Sequence, residues 1–166
     1  MSDKNIIIDA NGSTISGSDV ARLFYVAADA DLTLKNATLI NAKADKGAAV
    51  YVENEGQFEA YNITFFNNTA TYKGGAVYSE GSVNIVDSVF DSNDITFRTK
   101  NDDNGGAAVY NYNGALSIVD SNITNNLKDI VIRNGNAGDL LVGVVVTSGE
   151  TVIRGYYFAN NTGSWG

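Results

Sequence analysis

The phrase Gly-Ala-Val-Tyr returns at intervals along this chain, and that return limits what the chain can fold into. Gly47-Ala48-Ala49-Val50-Tyr51 recurs as Gly75-Ala76-Val77-Tyr78 and as Gly106-Ala107-Ala108-Val109-Tyr110, 27 residues from Tyr51 to Tyr78 and 32 from Tyr78 to Tyr110. A second phrase follows each copy: Asn62-Ile63-Thr64-Phe65-Phe66-Asn67-Asn68, then Asp87-Ser88-Val89-Phe90-Asp91-Ser92-Asn93, then Asp120-Ser121-Asn122-Ile123-Thr124-Asn125-Asn126. Weaker copies stand at Asn36 to Asn41 and at Gly155 to Asn161. A third apolar alternation accompanies them, as Leu32/Leu34, Val83/Ile85 and Leu116/Ile118. Self-similarity at such a period marks a stacked-repeat architecture.

No single unit can bury its own apolar face. If each unit makes one turn of a coil, every strand pairs in parallel with its equivalent one turn away, and equivalent side chains stack in columns about 4.8 Å apart. The expected fold is all-β: a single-stranded right-handed parallel β-helix of about five to six coils, three short strands per coil, about 25 Å long. Leu39, Phe65, Phe90, Ile123 and Phe158 would form an inward column, and Asn41, Asn67, Ser92, Asn125 and Asn160 a column at a bend. Ile6-Ile7-Ile8, a turn at Asp9 to Gly12, and Thr14-Ile15 supply an opening coil. Residues 18–28 have two readings. Ser18-Asp19 could cap a helix carrying Val20, Leu23, Phe24 and Ala27 on one face, or the repeat phase makes Leu23 to Val26 a strand. The chain is expected to be one domain over 1–166, with an inserted loop at 96–104 and an irregular C-terminal coil and cap at 127–166. In that last stretch Leu140 to Val146 and Thr151 to Ile153 look like strands around Ser148-Gly149.

Composition excludes several classes of function. The net charge of −8 repels phosphate backbones and anionic lipid, so neither nucleic acid nor a membrane surface is an expected partner. With no His and no Cys, the commonest general base, the Ser-His and Cys-His nucleophile pairs and most catalytic zinc sites are unavailable. No apolar run is long enough for a membrane-spanning helix. Met1-Ser2-Asp3-Lys4 is not a signal peptide, which fits either a cytosolic protein or a piece of a longer exported chain.

Gly74-Gly75-Ala76-Val77-Tyr78, with Phe65-Phe66-Asn67-Asn68 and Phe90-Asp91-Ser92-Asn93, resembles the Gly-Gly-Ala-Ile and Phe-x-x-Asn repeats of polymorphic outer-membrane proteins. It is also similar to the repeats of adhesin-like surface proteins of methanogenic archaea. The likeness runs from about residue 5 to 126, and more faintly from 150 to 161. It implies a β-helix and an exported, extracellular surface protein, of which this chain would be a piece. Carbohydrate-active β-helix enzymes use such repeats too.

Three groups of residues are candidates for function. Tyr51, Tyr78 and Tyr110 form a column that strand alternation turns outward while Val50, Val77 and Val109 turn inward. Such a row could stack on a sugar or anchor a protein, or it could only stabilise the sheet face. The loop Thr96 to Asn104 breaks the repeat spacing and would project from one face. Its Asp102, Asp103 and Asn104 offer oxygens to Ca²⁺, but the spacing matches no calcium motif, so no cofactor is expected. Asp91, Asp102, Asp103 and Arg98 are the one cluster a polysaccharide lyase or hydrolase could use. Asp91, however, stands where neighbouring repeats carry Phe66 and Thr124, which reads as an exposed turn, and no enzyme is expected. Asn11, Asn36, Asn62, Asn67, Asn122 and Asn160 begin Asn-x-Ser/Thr triplets, glycosylation acceptors if the chain is exported. The expected role is a non-catalytic domain for display or attachment, contacting a surface glycan or protein. Open coil ends add self-association into an end-to-end assembly as a further possibility.

Overall fold

The computed structural model describes residues 4–96, 105–112, 114–127, 132–134, 145–147, 150–155 and 157–161. Among them are strands and no helix. The strands are β1 (Lys4–Ser16), β2 (Phe24–Val26), β3 (Ala30–Ile40), β4 (Lys43–Lys46), β5 (Val50–Val52), β6 (Gln57–Phe66), β7 (Thr69–Lys73), β8 (Val77–Ser79), β9 (Ser82–Val86), β10 (Val89–Asp91), β11 (Asp94–Ile95), β12 (Val109–Asn111), β13 (Leu116–Val119), β14 (Asn122–Thr124), β15 (Ile132–Asn134), β16 (Val145–Thr147), β17 (Thr151–Arg154) and β18 (Tyr157–Ala159). Their pairings are parallel. They form sheets of nine, three and six strands. From β3 to β12 the chain visits the nine-stranded, three-stranded and six-stranded sheets in fixed rotation.

Corners made by single residues create this rotation. Asn36, Asn62, Asp87, Asp120 and Gly155 all have φ between 50° and 59°, and they divide each row of the nine-stranded sheet into two segments. Asn41, Asn67, Ser92, Asn125 and Asn160 form a second left-handed column. Gly47, Gly74 and Gly106 form a third, at φ 54°, 62° and 65°. Gly, Asn and Asp tolerate this conformation best, so the repeat's turn residues set the bends directly.

Between corners, alternation decides what is buried. Leu39, Phe65, Phe90, Ile123 and Phe158 are in register as one column, and the first four are fully buried. The Phe65 and Phe90 rings stack at 4.5 Å and 5°. Leu34, Ala60, Ile85 and Ile118 make a second buried column ending on Ile153. One apolar cluster runs through these rows, with Ile8, Ile15, Ile153 and Phe158 packed against it.

A buried polar column lies beside this core. Asn68, Asn93 and Asn126 are fully buried, and their amides bond in series: Asn68 Nδ2 to Asn93 Oδ1 at 3.0 Å, Asn93 Nδ2 to Asn126 Oδ1 at 3.0 Å, Asn126 Nδ2 to Asn161 Oδ1 at 3.1 Å. Each amide also donates to a carbonyl of an earlier row, at Leu39, Phe65 and Phe90, and each Oδ1 from Asn93 onward accepts the backbone N–H of the preceding member. The ladder thus satisfies corner groups that no strand pairing reaches. It stands one residue beyond the column that the repeat phrases single out. That expected column is also present, on the outside, where Asn67 Nδ2 donates to Asn41 Oδ1 at 2.8 Å.

Other expectations are corrected. Residues 18–28 contain no helix: Ser18 and Asp19 have φ of 52° and 59°, which breaks the first helical turn, and Leu23 and Phe24 donate to Ala48 and Ala49 carbonyls instead. The helix-like spacing of Val20 and Leu23 was coincidental, because Val20 is exposed. The three-strand unit omits the strand of the three-stranded sheet, whose inward residues Ala44, Ala70 and Ile95 are small or isolated. The opening segment is one strand with a bulge, in which Ala10, Asn11 and Gly12 stand opposite Asn36 alone. Strands are present at Val145–Thr147 and Thr151–Arg154, while Leu140 to Val144, Ser148 and Gly149 lie outside the described residues.

Candidate functional site

The Gly corners deliver β5, β8 and β12 in register, with Val50, Val77 and Val109 fully buried. The Tyr between them faces the other way. Tyr25 of β2 joins the same register, so the column holds Tyr25, Tyr51, Tyr78 and Tyr110. Successive ring centroids lie 5.2, 5.1 and 5.6 Å apart, with interplanar angles of 6°, 32° and 26°. Tyr25 escapes a reading by repeat phrase because no Gly-Ala precedes Phe24-Tyr25-Val26; its only signal is the alternation shared with Val50-Tyr51-Val52.

Cations lie over the rings. The Arg22 guanidinium is 4.8 Å from the Tyr51 centroid and 5.8 Å from that of Tyr25. Lys46 and Lys73 ammonium groups lie 4.8 Å from Tyr78 and Tyr110. Each cation therefore serves the ring of the following row, as in a staggered cation–π ladder. Arg22 is fixed by donating to the Lys46 and Gly47 carbonyls at 2.8 and 3.1 Å. Carboxylates take the hydroxyl ends: Tyr25 donates to Glu53, and both Tyr78 (2.8 Å) and Tyr51 (3.4 Å) donate to Glu80. Ala28 N–H also holds Glu53 at 2.9 Å.

These contacts set the charge states. Burial and the Glu80 carboxylate push the Tyr51 hydroxyl up to about 12, and the same causes raise Tyr78 further. The bond to Glu53 raises Tyr25 and, in return, holds Glu53 below the usual carboxylate range. Tyr25, Tyr51 and Tyr78 are thus held as neutral phenols, and the strip is flanked by cations and by carboxylates.

The expected row of exposed rings is corrected. Tyr78 is 3% exposed and Tyr110 0%, Tyr51 is half-buried, and Tyr25 is 54% exposed. Alternation gives the direction of a side chain but not its coverage, and here the ladder's own neighbours enclose the inner rings. What remains open is the Tyr25–Tyr51 end with Arg22 and Glu53. One face of Tyr25 rests on Tyr51, and the ring is 54% exposed.

The remaining candidates are dispersed. Arg98, Asp102 and Asp103, with the loop at 97–104, lie outside the described residues. Asp91 is absorbed by the bend ladder, where Oδ1 accepts from Ser92 Oγ at 2.7 Å and from Asn125 Nδ2 at 3.0 Å. Asn36, Asn62 and Asn67 commit their amide nitrogens to Asp9 (3.0 Å), Asn36 (2.9 Å) and Asn41 (2.8 Å). Asn11, Asn122 and Asn160 are exposed. Among the described residues, no three His, Cys, Asp or Glu side chains are grouped to hold a metal ion. A shallow groove of about 200 Å³ crosses the outer face of the nine-stranded sheet between Glu59, Asn84, Ser117 and Glu150.

Comparison with known proteins adds one finding. No curated protein and no solved structure matches the chain. Residues 62–80 match the Chlamydia polymorphic membrane protein repeat. That segment holds the Asn62 corner, the Phe65 core position, the Asn67 and Asn68 ladder positions and the Gly74-to-Tyr78 corner and ring. The chain therefore carries at least one unit similar to a Chlamydia polymorphic membrane protein repeat, and the residues that match are those that build the row.

Proposed function

We propose that this chain is a right-handed parallel β-helix domain of a cell-surface protein, spanning residues 1–166. Its work is attachment or display rather than catalysis. The fixed rotation through three parallel sheets supports the coil, and the matched repeat, named for a membrane protein, supports the surface location. The open Tyr25 ring, stacked at 6° on Tyr51, carries the binding assignment. A flat pair of rings with Arg22 on one side and the Glu53 carboxylate at the rim suits a sugar: the ring face takes its C–H surface, and the charged groups take its hydroxyls. The extracellular face would carry glycans at Asn11, Asn122 and Asn160, whose side chains are exposed. No metal or cofactor takes part.

A glycan array and cell binding, read on wild type, Tyr25→Ala and Tyr51→Ala, test this reading. Binding that falls at least about tenfold in both variants is expected. Binding indifferent to both, or none by the wild type, would remove the assignment.

A second reading, a carbohydrate-active enzyme, draws on the groove shared by Glu59 and Glu150. Catalytic and ligand clefts usually exceed about 300 Å³, so a groove of about 200 Å³ favours surface contact over catalysis. Product release abolished in Glu59→Gln would establish the enzyme instead.

A further inference from the structure

Tyr25 differs from the other rings of its ladder in three ways that bear on the loss of an electron. It is 54% exposed, whereas Tyr51 is half-buried and Tyr78 and Tyr110 are buried, so an oxidant in solution reaches it first. Its cation is more distant. Arg22 lies 5.8 Å from the Tyr25 centroid, whereas Tyr51, Tyr78 and Tyr110 each have a guanidinium or ammonium at 4.8 Å. A cation over a ring is attracted to its electrons and so opposes their removal. Finally, the Tyr25 hydroxyl donates to Glu53 Oε1, while the Ala28 N–H holds Glu53 Oε2 at 2.9 Å. Glu80, by contrast, is shared between Tyr51 and Tyr78.

The carboxylate matters because a phenol that loses an electron becomes a strong acid. Oxidation at neutral pH therefore needs a base already in place to take the proton. Glu53 is ionised there and holds the hydrogen bond along which the proton would move. Tyr157 provides an internal comparison. It is 61% exposed, yet among the described residues its hydroxyl bonds no carboxylate. Ring centroids 5.2, 5.1 and 5.6 Å apart also let an electron vacancy on an inner ring pass outward to Tyr25.

We propose that Tyr25 is an oxidative cross-linking site: a one-electron oxidant takes its electron as its proton passes to Glu53, and two such tyrosyl radicals on separate copies join through their rings. In the first step the Tyr25 O–H bond breaks. The proton goes to Glu53 Oε1 and the electron to the oxidant, a metal complex or an organic radical that is reduced by one electron. A neutral phenoxyl radical remains. In the second step two of these radicals form one C–C bond between ring carbons ortho to oxygen. The hydrogen on each of those carbons moves to the phenoxyl oxygen, which restores two phenols as dityrosine. Each Glu53 then returns its proton to solvent. The charged groups that bear on the Tyr25 hydroxyl are Glu53, Arg22 and Glu80, and Glu53 is the one that bonds it. Coupling joins two molecules because the parallel stack at 5.2 Å keeps Tyr51 out of bonding reach.

The test uses the full chain with no glycan present, so its result is independent of the attachment reading. Photogenerated tris-bipyridyl ruthenium(III), made with persulfate, is the oxidant. Dityrosine fluorescence gives the rate, and mass spectrometry of digests locates the link. Wild type is expected to form a covalent dimer joined from Tyr25 to Tyr25. Its rate should be constant from about pH 8 to about pH 5 and fall below about pH 4, where Glu53 is protonated. Glu53→Gln, with unchanged circular dichroism, is expected to link at least about tenfold more slowly at pH 7, with a rate that rises with pH because solvent must take the proton. Tyr25→Phe is expected to abolish the link at that position and to lower total dityrosine at least about tenfold. Wild-type links made chiefly at Tyr157 or Tyr72 would overturn the proposal. So would the absence of dityrosine, or a Glu53→Gln rate equal to that of wild type.

Discussion

Replacing Asn93 by Ala removes one rung from the buried amide ladder. In the wild type, Asn93 Oδ1 accepts from Asn68 N–H (3.1 Å) and Asn68 Nδ2 (3.0 Å), and its Nδ2 donates to the Phe65 carbonyl (3.0 Å) and to Asn126 Oδ1 (3.0 Å). After truncation the Asn68 N–H loses its acceptor. The Phe65 carbonyl loses its amide donor. Asn68 Nδ2 keeps Leu39 O, and Asn126 Oδ1 keeps the Asn93 backbone N–H. Two buried groups are therefore compromised, at about 1–3 kcal/mol each, for a loss of about 3–4 kcal/mol after partial relaxation. Urea denaturation followed by circular dichroism measures it. Asn67→Gly is the control: it loses only the exposed bond to Asn41 and puts Gly at a φ of 52°, so its change should stay within about 1 kcal/mol. If Asn93→Ala cost less than about 1 kcal/mol, the ladder would not be holding the corners.

Asn93→Asp sharpens the same point. A buried carboxylate there faces the Phe65 carbonyl and would hold its proton to higher pH in the folded state, so stability is greatest at acid pH and falls as pH rises through the folded-state value; a pH series of denaturation midpoints reads this. Phe65→Ala should cost about 3–5 kcal/mol, because it empties a fully buried position and unstacks Phe90. Tyr110→Ala should cost about as much, while Tyr25→Ala should cost under about 1 kcal/mol, which would place binding and stability at opposite ends of one ring column. Tyr51 ionises at about 12 in the folded chain against 10.0 for a free phenol, so an ultraviolet titration should show its delayed ionisation, with the stability it contributes present below pH 10 and lost as pH rises through 12. Gly81→Ala should cost about 3 kcal/mol, since a Cβ would collide with the Gly56 carbonyl of the preceding row.

What could be read from the residues divides along physical lines. Phe65 and Phe90 are large, apolar and repeated, so their column was legible. Asn41 and Asn67 mark a bend because few other residues accept a left-handed backbone. Asn68 was not singled out by the repeat phrases: a polar side chain is buried only when partners satisfy it, and those partners come from rows 25 to 29 residues away. The strand Thr69–Lys73 has Ala70 as its one buried side chain, too small to mark a core face. For the Tyr column, direction was legible and coverage was not, since Lys46, Lys73 and Glu80 reach the rings only once the rows are stacked.

The coil itself is best tested by distances between spin labels on the outer face. The chain has no Cys, so pairs introduced at Ile7, Thr33, Glu59, Asn84 and Ser117 label only those sites. These residues succeed one another by 25 to 33 positions in sequence but by one row each in register. Pulsed electron resonance on paired labels should therefore show separations that grow by about 4.8 Å per row, reaching about 19 Å from Ile7 to Ser117. Separations that instead scale with the intervening chain length, or that fail to rise in row order, would contradict a stack of parallel coils.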